Sequence, residues 1–152
     1  MRQWLVKKAL QRYWRLTRAL TLGVQGVVFD DADQVLLVRH GYRPGWHFSG
    51  GGVEANETIQ VSQERELKEE ARVEIASPPR LLGIYANFRS LPSDHIALFV
   101  LDEWRQPKVL KPNAEIAEIS RFDQSGLHAE TVPAVQRRPR EIADYSSISP
   151  DW

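Results

Sequence analysis

Residues 50–73, GGGVEANETIQVSQERELKEEARV, decide how this chain is read. A glycine run leads through Glu57 to a segment with no internal Gly or Pro. Gln60, Gln63, Leu67 and Lys68 are good helix formers and apolar residues recur at intervals, so the pattern predicts a helix over 58–71. Residues three and four apart share a helix face, which gathers Glu66, Glu69 and Glu70 into one patch. Like charges at that spacing destabilise a bare helix by about 0.2–0.5 kcal/mol per pair. The cluster therefore calls for a cation over it. All-oxygen donors select hard cations, which points to Mg²⁺ or Mn²⁺. The competing reading is a solvated acidic helix whose carboxylates pair with Arg65, Lys68 and Arg72. A surface helix, however, needs neither the glycine turn before it nor Glu57 at its start.

The same spacing resembles the Nudix box: Gly, five residues, Glu, seven residues, Arg-Glu-apolar, one residue, Glu-Glu, one residue, Gly, apolar. Gly51, Glu57, Arg65, Glu66, Leu67, Glu69, Glu70 and Val73 fall in place. Arg72 stands where the family has Gly, just past the helix, where a left-handed backbone is often required. An Arg there costs about 1 kcal/mol of local strain unless the chain leaves the helix another way. Ser49 stands where Nudix chains commonly have Pro, a change expected to soften the turn without removing a ligand.

The resemblance implies an α/β/α sandwich with a mixed β-sheet, matched by order of elements over Leu22–Tyr145. It also implies a metal-dependent pyrophosphohydrolase that splits a nucleoside diphosphate from another moiety. A cation would neutralise the repelling pyrophosphate charges and orient the attacking water. On that footing Glu66, Glu69, Glu70 and the Gly51 carbonyl are the candidate metal ligands, and Glu66 serves equally as a proton acceptor. Glu57 reads as an orienter or outer ligand, and Arg65 as the clamp that holds carboxylates in place. A further acid is often drawn from outside the box. Glu115 and Glu118 are the candidates, with Asp94 behind them, and His95 is the alternative proton acceptor. Arg43 and the Arg137–Arg140 run are candidates for phosphate, and Trp46 for stacking on a base. The alternative function is a Nudix module that binds a nucleotide without hydrolysing it.

Composition sets the outer bounds. With 152 residues the chain suits one domain with a real core, and 42% hydrophobic with 26% charged residues is ordinary for a soluble protein. Twenty Lys+Arg balance twenty Asp+Glu, so no global charge draws the chain to nucleic acid or to an anionic membrane. The lack of cysteine excludes disulfides, thiolate zinc sites, Cys nucleophiles and the cysteine-dependent isomerase branch of the same fold. It fits a cytoplasmic protein. No signal peptide and no membrane-spanning run is expected. The expected partner is a small nucleotide substrate.

Around the box, residues 2–20 read as an amphipathic helix with six Lys or Arg and no acid before Asp30. Such a helix is expected to pack on the domain or on a second subunit, which makes a homodimer an expectation. A membrane-surface helix is the sharper reading. Residues 21–30 and 35–40, separated by the Asp30–Asp33 turn cluster, are expected to pair as a hairpin. Residues 46–48 and 80–88 read as strands, and 94–104 as the most apolar and central one. The period of 115–122 is ambiguous, and 133–145 reads as a helix interrupted near Pro139. The whole is expected to form one domain: an N-terminal helix over 1–20, a core over 21–145 and a tail over 146–152.

Overall fold

The computed structural model describes residues 2–145 and 148–152, apart from the side chains of Arg2, Gln3 and Leu5. In chain order the elements are α1 (Arg2–Thr17), β1 (Thr21–Val28), β2 (Gln34–His40), β3 (Trp46–His47), β4 (Ser49–Gly52), α2 (Ile59–Ala71), β5 (Glu74–Ile75), β6 (Arg80–Ala86), β7 (Asp94–Leu101), β8 (Trp104–Arg105), β9 (Ile116–Asp123) and α3 (Pro133–Ala143). The architecture is the expected α/β type with a mixed sheet. Four strands run in the order β4-β1-β7-β6, with β1 and β7 parallel and the other pairs antiparallel. A three-stranded sheet, β3-β2-β9, and a two-stranded ribbon, β5-β8, complete it.

The expected hairpin of β1 and β2 does not form. Six consecutive residues of β1 are buried, because β4 and β7 flank it and it is packed on both faces. The Asp30–Asp33 turn sends β2 into the other sheet, and the two segments meet at a bridge between Phe29 and Val35 and at the Asp30 amide, which donates to the Gln34 carbonyl at 3.0 Å. The Asp30 carboxylate fixes that turn by accepting from the Ala32 and Gln34 amides. β7 is central, as its apolar sequence requires. One apolar cluster between the sheets joins Val27, Leu37, Phe48, Tyr85, Leu98 and Val135. A second, under α2, joins Val28, Leu36, Leu67, Ala71, Val73 and Leu101.

Helix α2 starts where the sequence says it should. Thr58 is extended and its hydroxyl accepts from the Val61 amide at 3.2 Å, satisfying one of the donors left open at a helix start. At the other end Arg72 adopts the left-handed conformation (φ 56°, ψ 28°), its amide donates to the Lys68 carbonyl at 3.2 Å and the Val73 amide donates to the Leu67 carbonyl at 3.1 Å. The chain thus leaves the helix as a Gly-ended one would, with a side chain where none is favoured. Replacing Arg72 by Gly is expected to stabilise the protein by about 1 kcal/mol, the cost of a non-Gly residue in that region. Equilibrium urea unfolding tests this, and a destabilised Arg72→Gly protein would contradict it.

Helix α3 runs through Pro139 rather than breaking there, and buries Ala134, Val135, Arg138 and Glu141. The segment read as a tail is tied down. The Ala86 amide donates to the Pro150 carbonyl, the Trp152 amide donates to the Ala86 carbonyl, and Asp151 bridges in parallel to Ala86 on the edge strand β6.

Candidate active site

Strand β4 brings the glycine run against α2. Gly50 has φ +155°, and a Cβ there would meet the Val24 carbonyl oxygen at 2.0 Å, so no other residue fits without moving β1. At Gly51 a Cβ would lie 2.5 Å from the Glu66 carboxylate. Glycine at this point is what lets the acid lie against the backbone of β4.

Arg65 organises the start of the cluster. Its Nε and Nη2 donate to the two oxygens of Glu57 at 2.9 and 3.0 Å, a forked pairing that fixes both groups. Its Nη1 donates to Glu66 Oε1 at 2.6 Å, and Glu69 Oε2 stands 3.5 Å from the same nitrogen. Its Nη2 also reaches the Gly52 carbonyl at 3.2 Å. The hydrogen bonds from Arg65 hold the Glu57 carboxyl down to about 2, helped by the Glu54 amide. The Glu66 carboxyl is pushed up by burial, against the pull of Arg65, with Glu69 and Glu115 pushing the same way.

Glu70 sits deeper. It is buried, and its Oε2 accepts from the Gly50 amide at 2.8 Å and the Ser49 hydroxyl at 3.0 Å. Burial raises its pKa to about 7, although both hydrogen bonds lower it. Ser49 therefore does more than soften the turn, because it adds a donor to a box carboxylate that Pro could not supply. Beside the other oxygen lies His40, with Nδ1 3.7 Å from Glu70 Oε1. Burial, then Arg43 and His47, lowers the His40 pKa to about 4, so the ring is neutral near pH 7. Arg43 Nη2 stands 2.7 Å from His40 Nε2 and can only donate, which places the ring proton on Nδ1, facing Glu70.

The row Glu70–His40–Arg43 ends at a cavity of about 920 Å³ lined by Arg39, Thr131, Glu130 and Gln136 among others. That is within the size range of small-molecule sites. The Arg43 Nε is buried and has no hydrogen-bond partner among the described residues.

The other candidates are placed less evenly. Glu115 is near enough to raise the Glu66 pKa. Glu118 pairs with Arg39 at 2.7 Å on the surface. Asp94 is committed to the loop before β7, accepting from Thr21 Oγ1 at 2.6 Å and Asn87 Nδ2 at 2.7 Å. His95 packs edge-on against Phe88, and no hydrogen bond or ion pair among the described residues joins it to the box. Trp46 is not placed for stacking on a base. It is buried in the core against Phe122, with Arg39 over its ring, because β3 is paired with β2 and turns that side chain inward. His40 and Ser49 carry contacts that their types alone did not announce. The one signal available for Ser49 was its departure from the Nudix pattern.

Comparison with known proteins decides the family. A sequence model of the NUDIX domain matches residues 19–143. The chain belongs to the Nudix family. This Nudix hydrolase is 30% identical over 153 aligned positions, 97% of its own length and 82% of the relative's, to an ADP-ribose pyrophosphatase of Methanocaldococcus jannaschii. Its fold is similar to that of a MutT Nudix hydrolase from Burkholderia pseudomallei (TM-score 0.68, 17% identity, 80% of this chain and 97% of that one). It is also similar to that of an ADP-ribose pyrophosphatase from Streptococcus suis (TM-score 0.61, 21% identity, 87% and 95%). As a Nudix hydrolase the chain acts on phosphoric anhydride bonds, and dependence on a divalent metal is general in the family.

The residues fit such a metal. The donors are all oxygen, as a hard cation requires, and Gly51 leaves the space beside Glu66 that a side chain would fill. Among the described residues no three acids or imidazoles already stand at ligand spacing. Arg65 draws Glu57 and Glu66 to itself, and the Glu69 side chain is 62% exposed. A cation held by this set would require Glu69 to swing in and Glu66 to share its oxygens.

Proposed function

We propose that this Nudix hydrolase splits nucleoside diphosphate sugars of the ADP-ribose type with Mg²⁺ or Mn²⁺. Glu66, Glu69, Glu70 and the Gly51 carbonyl would hold the cation. The observation that carries the reading is the Arg65 clamp, which sets Glu57 and Glu66 beside the glycine turn while Glu70 is held from the other side by Ser49 and Gly50. The bound cation supplies charge neutralisation at the diphosphate and an acidified water. Around it, the chain's own groups have separate tasks. Arg65 and Ser49 orient the carboxylates. Glu66 or Glu115 accepts the water's proton. Arg43, which lines the cavity, would hold a phosphate there. The ADP-ribose class is supported by the named activity of the archaeal relative and by a cavity large enough for a nucleotide moiety. The cysteine-free sequence and this substrate class suit the cytoplasm.

The test is phosphate release, after phosphatase coupling, from a panel of ADP-ribose, other sugar nucleotides, dinucleoside polyphosphates and nucleoside triphosphates with each metal. ADP-ribose is expected to turn over well above the rest. Arg43→Ala is expected to raise KM by roughly ten- to a hundredfold with little change in kcat, because a charge-assisted contact is worth about 1.5–3 kcal/mol and this one is present in ground and transition states alike. Preference for a nucleoside triphosphate would sink the substrate class. Silence across the panel, with a nucleotide still raising the melting temperature, would leave a binding module instead.

A further inference from the structure

Helix α1 is the largest feature the hydrolase site leaves unused. Every described side chain from Trp4 to Leu20 is exposed, Leu16 to 84%. Among the described side chains, no hydrogen bond, ion pair or ring contact joins α1 to the rest of the domain. Its contacts are internal, such as Thr17 to the Tyr13 carbonyl and Lys8 Nζ 4.0 Å over the Trp4 ring. The expectation that this helix packs on its own domain is therefore not met.

The helix is divided lengthwise. At 3.6 residues per turn, Val6, Leu10, Tyr13, Trp14 and Leu16 fall on one half, and Lys7, Lys8, Arg12 and Arg15 on the other, where Trp4 lies beneath Lys8. It carries no acidic residue at all. The chain as a whole is neutral, so this concentration of positive charge is local. We propose that α1 lies flat on an anionic lipid surface, with its apolar half at the acyl boundary and its Lys and Arg side chains on the headgroups. Charge complementarity selects this occupant. Pairing with a second copy would cover the apolar half but would leave the Lys and Arg side chains without an anionic partner. A nucleic-acid backbone would satisfy the charge but would leave the apolar half, with Tyr13 and Trp14, in water. The helix does not cross the membrane, being too short and too charged.

The experiment is sedimentation of the full chain with phosphatidylcholine vesicles, with and without phosphatidylserine, at low and high salt. Binding is expected only to the anionic vesicles and is expected to fall steeply with salt. Each charge removed is expected to weaken partitioning about fivefold. The triple replacement Lys8→Gln, Arg12→Gln, Arg15→Gln is then expected to weaken it roughly a hundredfold. Leu10→Asp, on the apolar half, is expected to abolish it, with an unchanged melting temperature because α1 does not support the core. No binding to anionic vesicles overturns the proposal, as does equal binding to neutral ones. Binding of duplex DNA without vesicle binding points to a nucleic-acid arm and also overturns it. A concentration-dependent dimer that Leu10→Asp dissociates, without vesicle binding, makes α1 a subunit interface and overturns it likewise. None of these readouts uses hydrolysis, so they stand apart from the assignment of the active site.

Discussion

Glu70→Gln is expected to lower kcat about a thousandfold. An amide keeps the shape of the side chain and can still accept from Ser49 and the Gly50 amide. What it loses is the negative charge that, on the proposed assignment, would hold a cation, and metal stabilisation of a phosphoryl transition state is worth several kcal/mol, about a factor of ten for each 1.36 kcal/mol. Glu69→Gln is expected to act in the same direction. Near-normal hydrolysis by Glu70→Gln would remove Glu70 from the site.

The same replacement should have the opposite sign on stability in the metal-free protein. The Glu70 carboxyl has a pKa of about 7 in the fold, chiefly through burial, against an ordinary value of 4.5. Below the lower value the side chain is protonated both folded and unfolded and contributes nothing. Between the two values the folded state holds the extra proton, so stability falls as pH rises. Above about 7 the full cost of the buried charge is present, on the order of 3 kcal/mol for that separation. Glu70→Gln removes this dependence. Without metal it is expected to be the more stable protein at pH 8, while the gap closes near pH 5. Urea unfolding at the two pH values in the presence of a chelator measures it. An unchanged gap across that range would mean that Glu70 titrates normally in the fold. A site that destabilises its own empty form and is relieved by a ligand is a common arrangement at functional positions.

Local chemistry was legible in residues 50–73, and long-range placement elsewhere was not. Thr58 capping α2, Glu57 meeting Arg65 across the turn and Arg72 in the left-handed region all follow from neighbours within one or two helical turns. The partners of β1 do not, because an apolar run beside a turn pairs equally well with the next strand or with distant ones. Here β7, about 70 positions on, wins because it buries the second face. Trp46 was misread for a related reason. An aromatic residue near a site mouth looks like a stacking platform until the strand register turns it inward. Helix α1 was legible as amphipathic and basic, but no sequence pattern says whether an apolar face is covered.

Arg138 is the sharpest case of a residue misread from its neighbours, and it carries the largest expected effect on stability. Within Arg137-Arg138-Pro139-Arg140 it looks like part of a solvated basic face, or a phosphate hold. In the fold it is fully buried. Its guanidinium lies 4.0 Å from the Tyr85 ring and 4.7 Å from that of Trp152. It donates to Glu141 Oε2 and, through Nη2, to the Asp151 carbonyl at 3.0 Å. Glu141 in turn accepts from the Tyr85 hydroxyl at 3.0 Å and the Ser149 amide at 3.3 Å. Burial, then Glu141, pushes the Tyr85 hydroxyl up to about 12, so it stays a donor throughout the working range. One buried cation thus joins α3, β6 and the last five residues. Arg138→Met keeps most of the volume but strands the Glu141 charge, and breaking a buried pair in this way costs about 3–5 kcal/mol. For a chain of this size that corresponds to a melting temperature roughly 10 °C lower. Removing both charges, as Arg138→Met with Glu141→Leu, is expected to restore most of the loss, because two apolar groups leave no charge to solvate. Urea unfolding of both proteins separates the outcomes. A single variant within about 1 kcal/mol of the parent would mean that water reaches Glu141. A double variant as unstable as the single one would show that the stacking between Tyr85 and Trp152, rather than the charge, holds the C-terminal segment in place.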